Sequence, residues 1–223
     1  MKTTFEKIYS YDPCSSGWVK LCTNKLGTEL HEDLTEEQLG KEISIMEILT
    51  SNGIKDAVWA LRTQQYRDYC IFLADVAESV LHIFEKECPG DMRVRDLISG
   101  MRRWHAGEIS DEQLDVLRIA AYDAAEAKAA DYAAAAKAAA YAATNAAAAK
   151  AANAAAKAAT NAAYAAVAAA DYAADYAADY AADYAGYAYA DASAAASATN
   201  AARASARRKQ WKKIEELLRK HLK

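Results

Sequence analysis

Ala169-Ala170-Asp171-Tyr172-Ala173-Ala174-Asp175-Tyr176-Ala177-Ala178-Asp179-Tyr180-Ala181-Ala182-Asp183-Tyr184 lies inside a tract, from Ile119 to about Ala206, that is mostly alanine. The tract contains no proline, its only glycine is Gly186, and alanine has the highest helix propensity of any residue. Helix is therefore expected throughout. One straight helix from Ser110 to Ala206 would be about 145 Å long at about 1.5 Å per residue, with nothing to pack against. Folding back into two or three long antiparallel helices is the expected solution. The pairs Thr144-Asn145, Thr160-Asn161 and Thr199-Asn200, with Gly186, are the candidate turns or kinks. Methyl groups let backbones approach closely, which matters because alanine buries little area at ~25 cal/mol per Å².

On a helix, a four-residue repeat advances by about 40° beyond a full turn at each step. Asp171, Asp175, Asp179 and Asp183 thus form a slowly winding ladder, and Tyr172, Tyr176, Tyr180 and Tyr184 form a second one beside it. The two alanines of each tetrad face away. Like charges four residues apart are mildly destabilising, so helix stability alone does not select this repeat. Two readings stand open. The aspartates keep an alanine-rich helix soluble while the tyrosines fill grooves, or the strip offers carboxylates and phenols to a basic protein partner.

Working outward, the first 110 residues carry the larger side chains. Thr3-x-x-Glu6 reads as a capping box for a short helix that fails by Pro13, and Ser15 or Ser16 as the cap of a second carrying Trp18, Val19 and Leu21. Thr35-x-x-Gln38 is a further capping box. Leu39, Ile43, Met46 and Leu49 then recur at helical steps, with Ser51-Asn52-Gly53 as the stop. Ile54 to Leu61 is a short amphipathic segment. Tyr66 to Glu87 is the strongest core helix, with Tyr69, Phe72, Val76, Val80 and Phe84 as its inward row and Leu73 and Ile83 widening it. Cys88-Pro89-Gly90-Asp91 breaks it. A helix from about Asp91 to His105 presents Val94, Leu97, Ile98, Met101 and Trp104, and Ser110-x-x-Gln113 caps the helix entering the tract. No stretch alternates with period two, so no sheet is expected.

Past Arg203 the chain turns basic (Arg207, Arg208, Lys209, Lys212, Lys213, Arg219, Lys220, Lys223), with Trp211, Ile214, Leu217, Leu218 and Leu222 as an apolar stripe. The expected organisation is all-α: a helical head (1–110), an alanine-rich region of long antiparallel helices (111–206) and a basic amphipathic closing helix (207–223).

The 223 residues carry a formal charge of −4 with 53% hydrophobic content, which excludes a disordered acidic tail. Cys14, Cys22, Cys70 and Cys88 form no C-x-x-C pair and read as reduced thiols. The N-terminus has no apolar run of signal-peptide length, and Lys128, Lys137, Lys150 and Lys157 with the aspartates interrupt the tract too often for a membrane span. A cytoplasmic protein with no membrane partner is expected.

Catalytic patterns are weak. Glu78, His82 and Glu85 share one face of the core helix at metal-ligand spacing, but a lone helical cluster is more often a polar edge. No Walker, G-x-S-x-G, H-E-x-x-H or G-x-G-x-x-G pattern is present. No enzyme activity, catalytic residue, metal site or cofactor is expected. Ice-binding helices need threonine every eleven residues, and the positions eleven after Thr144 and Thr160 are Ala155 and Asp171.

Asp56-Ala57-Val58-Trp59-Ala60-Leu61, Arg67 with Ala74-Asp75-Val76-Ala77, Pro89-Gly90-Asp91, and Arg103-Trp104-His105-Ala106-Gly107-Glu108 followed by Ser110 and Glu112-Gln113-Leu114 precede the Ala/Tyr/Asp tract and the helix around Trp211 and Ile214. In this order they resemble the alanine-rich, all-helical immunity proteins of bacterial polymorphic toxin systems, with relatives in phages. The acidic insertion around Glu29 to Glu47 departs from that pattern. The resemblance implies a non-enzymatic inhibitor that binds and neutralises a toxin or effector protein; that the partner is basic is read from the acidic strip. It transfers no functional residues; the Asp/Tyr strip is read from this sequence.

Other classes stay in view. A phage counter-defence protein would sequester a nucleotide signal, stacking its base on the tyrosines, or bind a host immune factor. A DNA mimic would present the aspartates as phosphates, although the lysines break that surface. The C-terminal basic face could bind nucleic acid, with a steep salt dependence. Bare alanine faces also suit a homo-oligomer.

Overall fold

Helix α6 (Tyr66–Glu87) is the element around which the others assemble. In the computed structural model, which describes residues 1–28, 34–126, 134–147, 161–174 and 192–223, its expected inward row of Tyr69, Phe72, Val76, Val80 and Phe84 is buried, together with Leu73 and Ile83. The chain is almost entirely α-helical.

Helix α7 (Arg93–His105) returns along α6. Its start is tied by Arg95 to Glu85, and its end by Arg102, whose Nη2 donates to Asp75 and Glu78 at 2.7 Å each. The helices therefore run antiparallel. Helix α8 (Asp111–Glu126) opens with the expected reciprocal cap: Gln113 N–H donates to Ser110 Oγ at 3.3 Å, and Ser110 N–H to Gln113 Oε1 at 2.8 Å. Gly100 lets α7 and α8 meet closely, since a Cβ there would lie 2.3 Å from Leu117 Cδ1.

The alanine tract supplies α8's second half, α9 (Ala134–Ala147), α10 (161–174) and most of α11's first half (Ala192–His221). Thr144-Asn145 and Thr199-Asn200 are not turns. Both lie inside helices, because a helical threonine can satisfy its hydroxyl locally, as Thr144 does by donating to the Tyr141 carbonyl at 3.3 Å. Thr160 and Gly186 lie outside the described residues, and Asn161 is helical. The basic stretch past Arg203 belongs to one helix with the end of the alanine tract, α11 (Ala192–His221).

Alanine packs on the head as well as on itself. Helix α9 lies against α6 and α8, burying Ala139, Ala140, Ala142, Ala143 and Ala146. The Tyr66 hydroxyl donates to the Ala146 carbonyl at 2.6 Å, so the start of α6 meets the end of α9. Helix α10 buries Ala162, Ala163, Ala166 and Ala169. From α11, Ile214 and Leu218 are fully buried, and Gln210 donates to Ser79 at 2.9 Å. One buried cluster runs from Phe5 to Leu218.

Before α6 come strand β1 (Lys2–Thr4), α1 (Phe5–Tyr9), α2 (Ser15–Leu26), α3 (Glu36–Gly40), β2 (Glu42–Ser44), α4 (Ile45–Asn52), α5 (Ile54–Ala60) and a 3-10 turn, Leu61–Thr63. The expectation of no sheet is corrected: β1 and β2 pair antiparallel with Thr3 opposite Ile43. Strands of three residues are too short to display an alternating pattern. The ladder explains two further shifts. Thr3 is buried in it, so Thr4 caps α1, accepting from Lys7 N–H at 3.1 Å. Ile43 is its other inward residue, so the helix opened by Thr35 stops at Gly40, and a second capping box, Ser44 with Glu47, restarts it. Cys14, not Ser15 or Ser16, holds the N-cap position of α2.

Candidate functional site

Helix α8 buries Leu114, Ala121, Ala124 and Ala125 at helical steps. That choice of inner face sends Val116, Ile119 and Tyr122 outward, where they are 66%, 52% and 45% exposed. Glu112 and Asp123 are exposed on the same side, one turn before Val116 and one turn after Ile119. Of the helix's charges, the single cation, Arg118, sits 3.3 Å from Asp115. Single exposed apolar side chains are ordinary, but two aliphatics and a tyrosine adjoining on one face form a patch. Tyr122 meets the ring of Tyr141 on α9 at 6.0 Å, which steadies one end of it. An apolar face rimmed by carboxylates suits a protein surface of apolar groups among lysines and arginines. Sequence reasoning missed it. The signal was present: Val116 and Ile119 fall outside the stripe defined by Leu114, Ala121 and Ala125.

The Asp/Tyr ladder is described only at its first rung. Asp171 is 14% exposed and gripped from α11, by Arg203 Nη2 at 3.3 Å and Arg207 Nη1 at 3.1 Å. It closes α10 onto α11. Tyr172 is 43% exposed beside it. Asp175, Tyr176, Asp179, Tyr180, Asp183 and Tyr184 lie outside the described residues.

The Trp104 corner is built as a joint. Trp104 Nε1 donates to Asp111 Oδ1 at 2.7 Å, its ring lies 5.3 Å from that of Tyr66, and the Arg67 guanidinium sits 4.5 Å over it. Arg67 also donates to the His105 carbonyl at 3.1 Å, and Gly107, at φ +79°, turns the chain toward α8. Nearby, Cys70 Sγ is 3.4 Å from His105 Nδ1. Burial pushes the Cys70 thiol up to about 12, so it supplies no thiolate near neutral pH. Glu78 and Glu85 are spent on Arg102 and Arg95. Among the described residues no group of three His, Cys, Asp or Glu side chains could hold a metal ion.

The exposed α8 face and the Trp104 corner belong to one continuous stretch, from the end of α5 to the end of α9. Residues 60–149 match the family described as Imm-5 like putative immunity protein. The immunity-protein resemblance agrees with this match; of its motif-like segments, the Trp104 neighbourhood lies inside it and Trp59 just before it. It spans fewer than half of the 223 residues; the Asp/Tyr ladder and α11 fall beyond it. No curated protein and no solved structure matches the chain. Among the described residues, no helix is long and apolar enough to cross a membrane.

Proposed function

We propose that this protein is a non-enzymatic inhibitor that binds a basic toxin or effector protein and neutralises it by occupying its surface. The immunity-family match over residues 60–149 carries the reading. The exposed Val116, Ile119 and Tyr122, between Glu112 and Asp123 and inside that segment, are the surface on which we place the contact. Carboxylates around the patch would steer a cationic partner inward, and the apolar centre would supply the residence time. The ladder residues Asp175, Asp179 and Asp183, with their tyrosines, are a second acidic-aromatic surface for the same partner.

The test is co-expression with candidate basic toxin domains. Growth should be rescued by the native chain and lost with Val116→Asp/Ile119→Asp, whose melting temperature should stay close to native because both residues are exposed. Loss with Asp175→Ala/Asp179→Ala/Asp183→Ala would assign the ladder to the interface as well. Undiminished rescue by both variants would remove both surfaces from the proposal. A nucleotide that raises the melting temperature, with no rescue from the native chain, would favour the signal-sequestering class instead.

A further inference from the structure

Helices α1, α2, α4 and α5 line a cavity of about 90 Å³. Its walls are chiefly apolar, from Trp18, Leu21, Ile48 and Trp59, and its polar groups converge on one side, where Asn52 and Asp56 sit. Asn52 Nδ2 donates to Asp56 Oδ2 at 2.9 Å and to the Gly17 carbonyl at 2.9 Å, which fixes the amide and aims the carboxylate. Gly17 is the place where α2 comes closest. A Cβ there would lie 3.1 Å from both Asp56 Oδ2 and Cys14 Sγ.

Asp56 is half-buried, yet no lysine or arginine among the described residues reaches it at ion-pair distance. Cations on the surrounding elements are engaged elsewhere: Lys20 donates to the Asn52 carbonyl at 3.2 Å, Lys25 pairs with Glu47 at 3.7 Å, Lys55 lies over the Trp211 ring and Arg62 donates to the Trp59 carbonyl at 2.9 Å. A partly desolvated carboxylate beside an apolar, aromatic-walled space has one complementary occupant, a cation carried on an apolar stem. The volume of about 90 Å³ admits an occupant of roughly six to nine heavy atoms, given that one water needs about 10–15 Å³ of such space.

We propose that this cavity binds a primary ammonium group on a short apolar stem, with Asp56 pairing the ammonium and Trp18 and Trp59 flanking the stem. A free small amine and a lysine side chain share that chemistry. The site lies almost wholly outside the immunity-family segment and does not depend on the toxin-binding reading.

Calorimetry with benzylammonium and n-butylammonium chloride tests it on the full chain, with benzyl alcohol as the uncharged isostere and Nα-acetyl-lysine amide as the side-chain analogue. Benzylammonium should bind at least tenfold tighter than benzyl alcohol. Asp56→Asn keeps the shape and the Asn52 contact, and should remove that preference while leaving the melting temperature near native. Binding of the free amines alone assigns the site to a small molecule; binding of the lysine amide as well assigns it to a side chain. Equal affinity for benzylammonium and benzyl alcohol, no binding of either amine, or an unchanged preference in Asp56→Asn would overturn the proposal.

Discussion

The carboxylate of Asp75, midway along α6, lies 2.9 Å from Nε2 of His221 near the end of α11. The same carboxylate accepts from Arg102 of α7 at 2.7 Å and has Lys220 Nζ at 3.7 Å, so three helices converge on one anion. Burial by itself would raise the Asp75 carboxyl. The hydrogen bonds from His221 and Arg102 and their charge outweigh it, and hold the group below the ordinary carboxylate range.

Because the folded-state value lies below the unfolded one, near about 3.9, the network contributes its full stability above that range. The contribution is lost as pH falls through the folded value. Asp75→Asn should therefore cost about 2 kcal/mol at pH 7, and the gap from the native chain should shrink on titration to pH 3. Urea unfolding at the two pH values checks it, and a gap of constant size would place the cost in packing instead.

Gly100 and Leu117 give a prediction with a change of sign. An alanine at position 100 would gain about 1 kcal/mol in helix propensity, but its methyl would stand 2.3 Å from Leu117 Cδ1. Overpacking of this kind costs about 1–3 kcal/mol, so Gly100→Ala should be net destabilising. In a Leu117→Ala background the obstacle is gone and the same change should stabilise. A double-mutant cycle by chemical denaturation measures both, and the same sign in both backgrounds would refute the close approach as the reason for the glycine.

Tyr66 ties the start of α6 to the alanine helix α9. Burial raises its phenol well above the ordinary value, so it stays protonated and donates to the Ala146 carbonyl. Tyr66→Phe keeps the ring on Trp104 and loses only this bond. About 1 kcal/mol of stability should disappear, with amide exchange quickening first in α9.

Burial of large side chains made the centre of this fold readable in advance. The α6 and α7 stripes, Tyr69 to Phe84 and Val94 to Met101, are buried as their spacing requires. Alanine offers no such contrast between faces. From sequence nothing distinguished the buried Ala140 from a solvent-facing neighbour, and Thr144-Asn145 and Thr199-Asn200, which looked like punctuation, turned out to be helical. The sheet hid for another reason: Thr3 and Ile43 are forty residues apart in strands only three residues long. At the candidate site, the ladder's first aspartate was identified as a charged surface element. What sequence could not supply was that Arg203 and Arg207 arrive from α11 to neutralise it. The α8 patch was legible in principle, but Val116 and Ile119 pass as core residues until the inner face is known.

Asp171 and the α8 patch should behave differently when a cationic partner binds. Asp171 already holds two arginines of its own chain at 14% exposure, so Asp171→Asn should loosen α10 from α11 and lower the melting temperature while changing partner affinity little. Glu112 and Asp123 are exposed at the rim of the patch. Changing both to glutamine and asparagine should slow association and flatten its salt dependence, because rim charges act on the encounter step. Ile119→Ala removes apolar contact at the centre and should instead speed dissociation, by about tenfold for about 1.4 kcal/mol of lost contact. Stopped-flow association and dissociation rates at two salt concentrations separate the effects. If Asp171→Asn abolished binding while Glu112→Gln/Asp123→Asn and Ile119→Ala left both rates unchanged, the contact surface would belong to α10 and α11, and the α8 face would be only an exposed helix side.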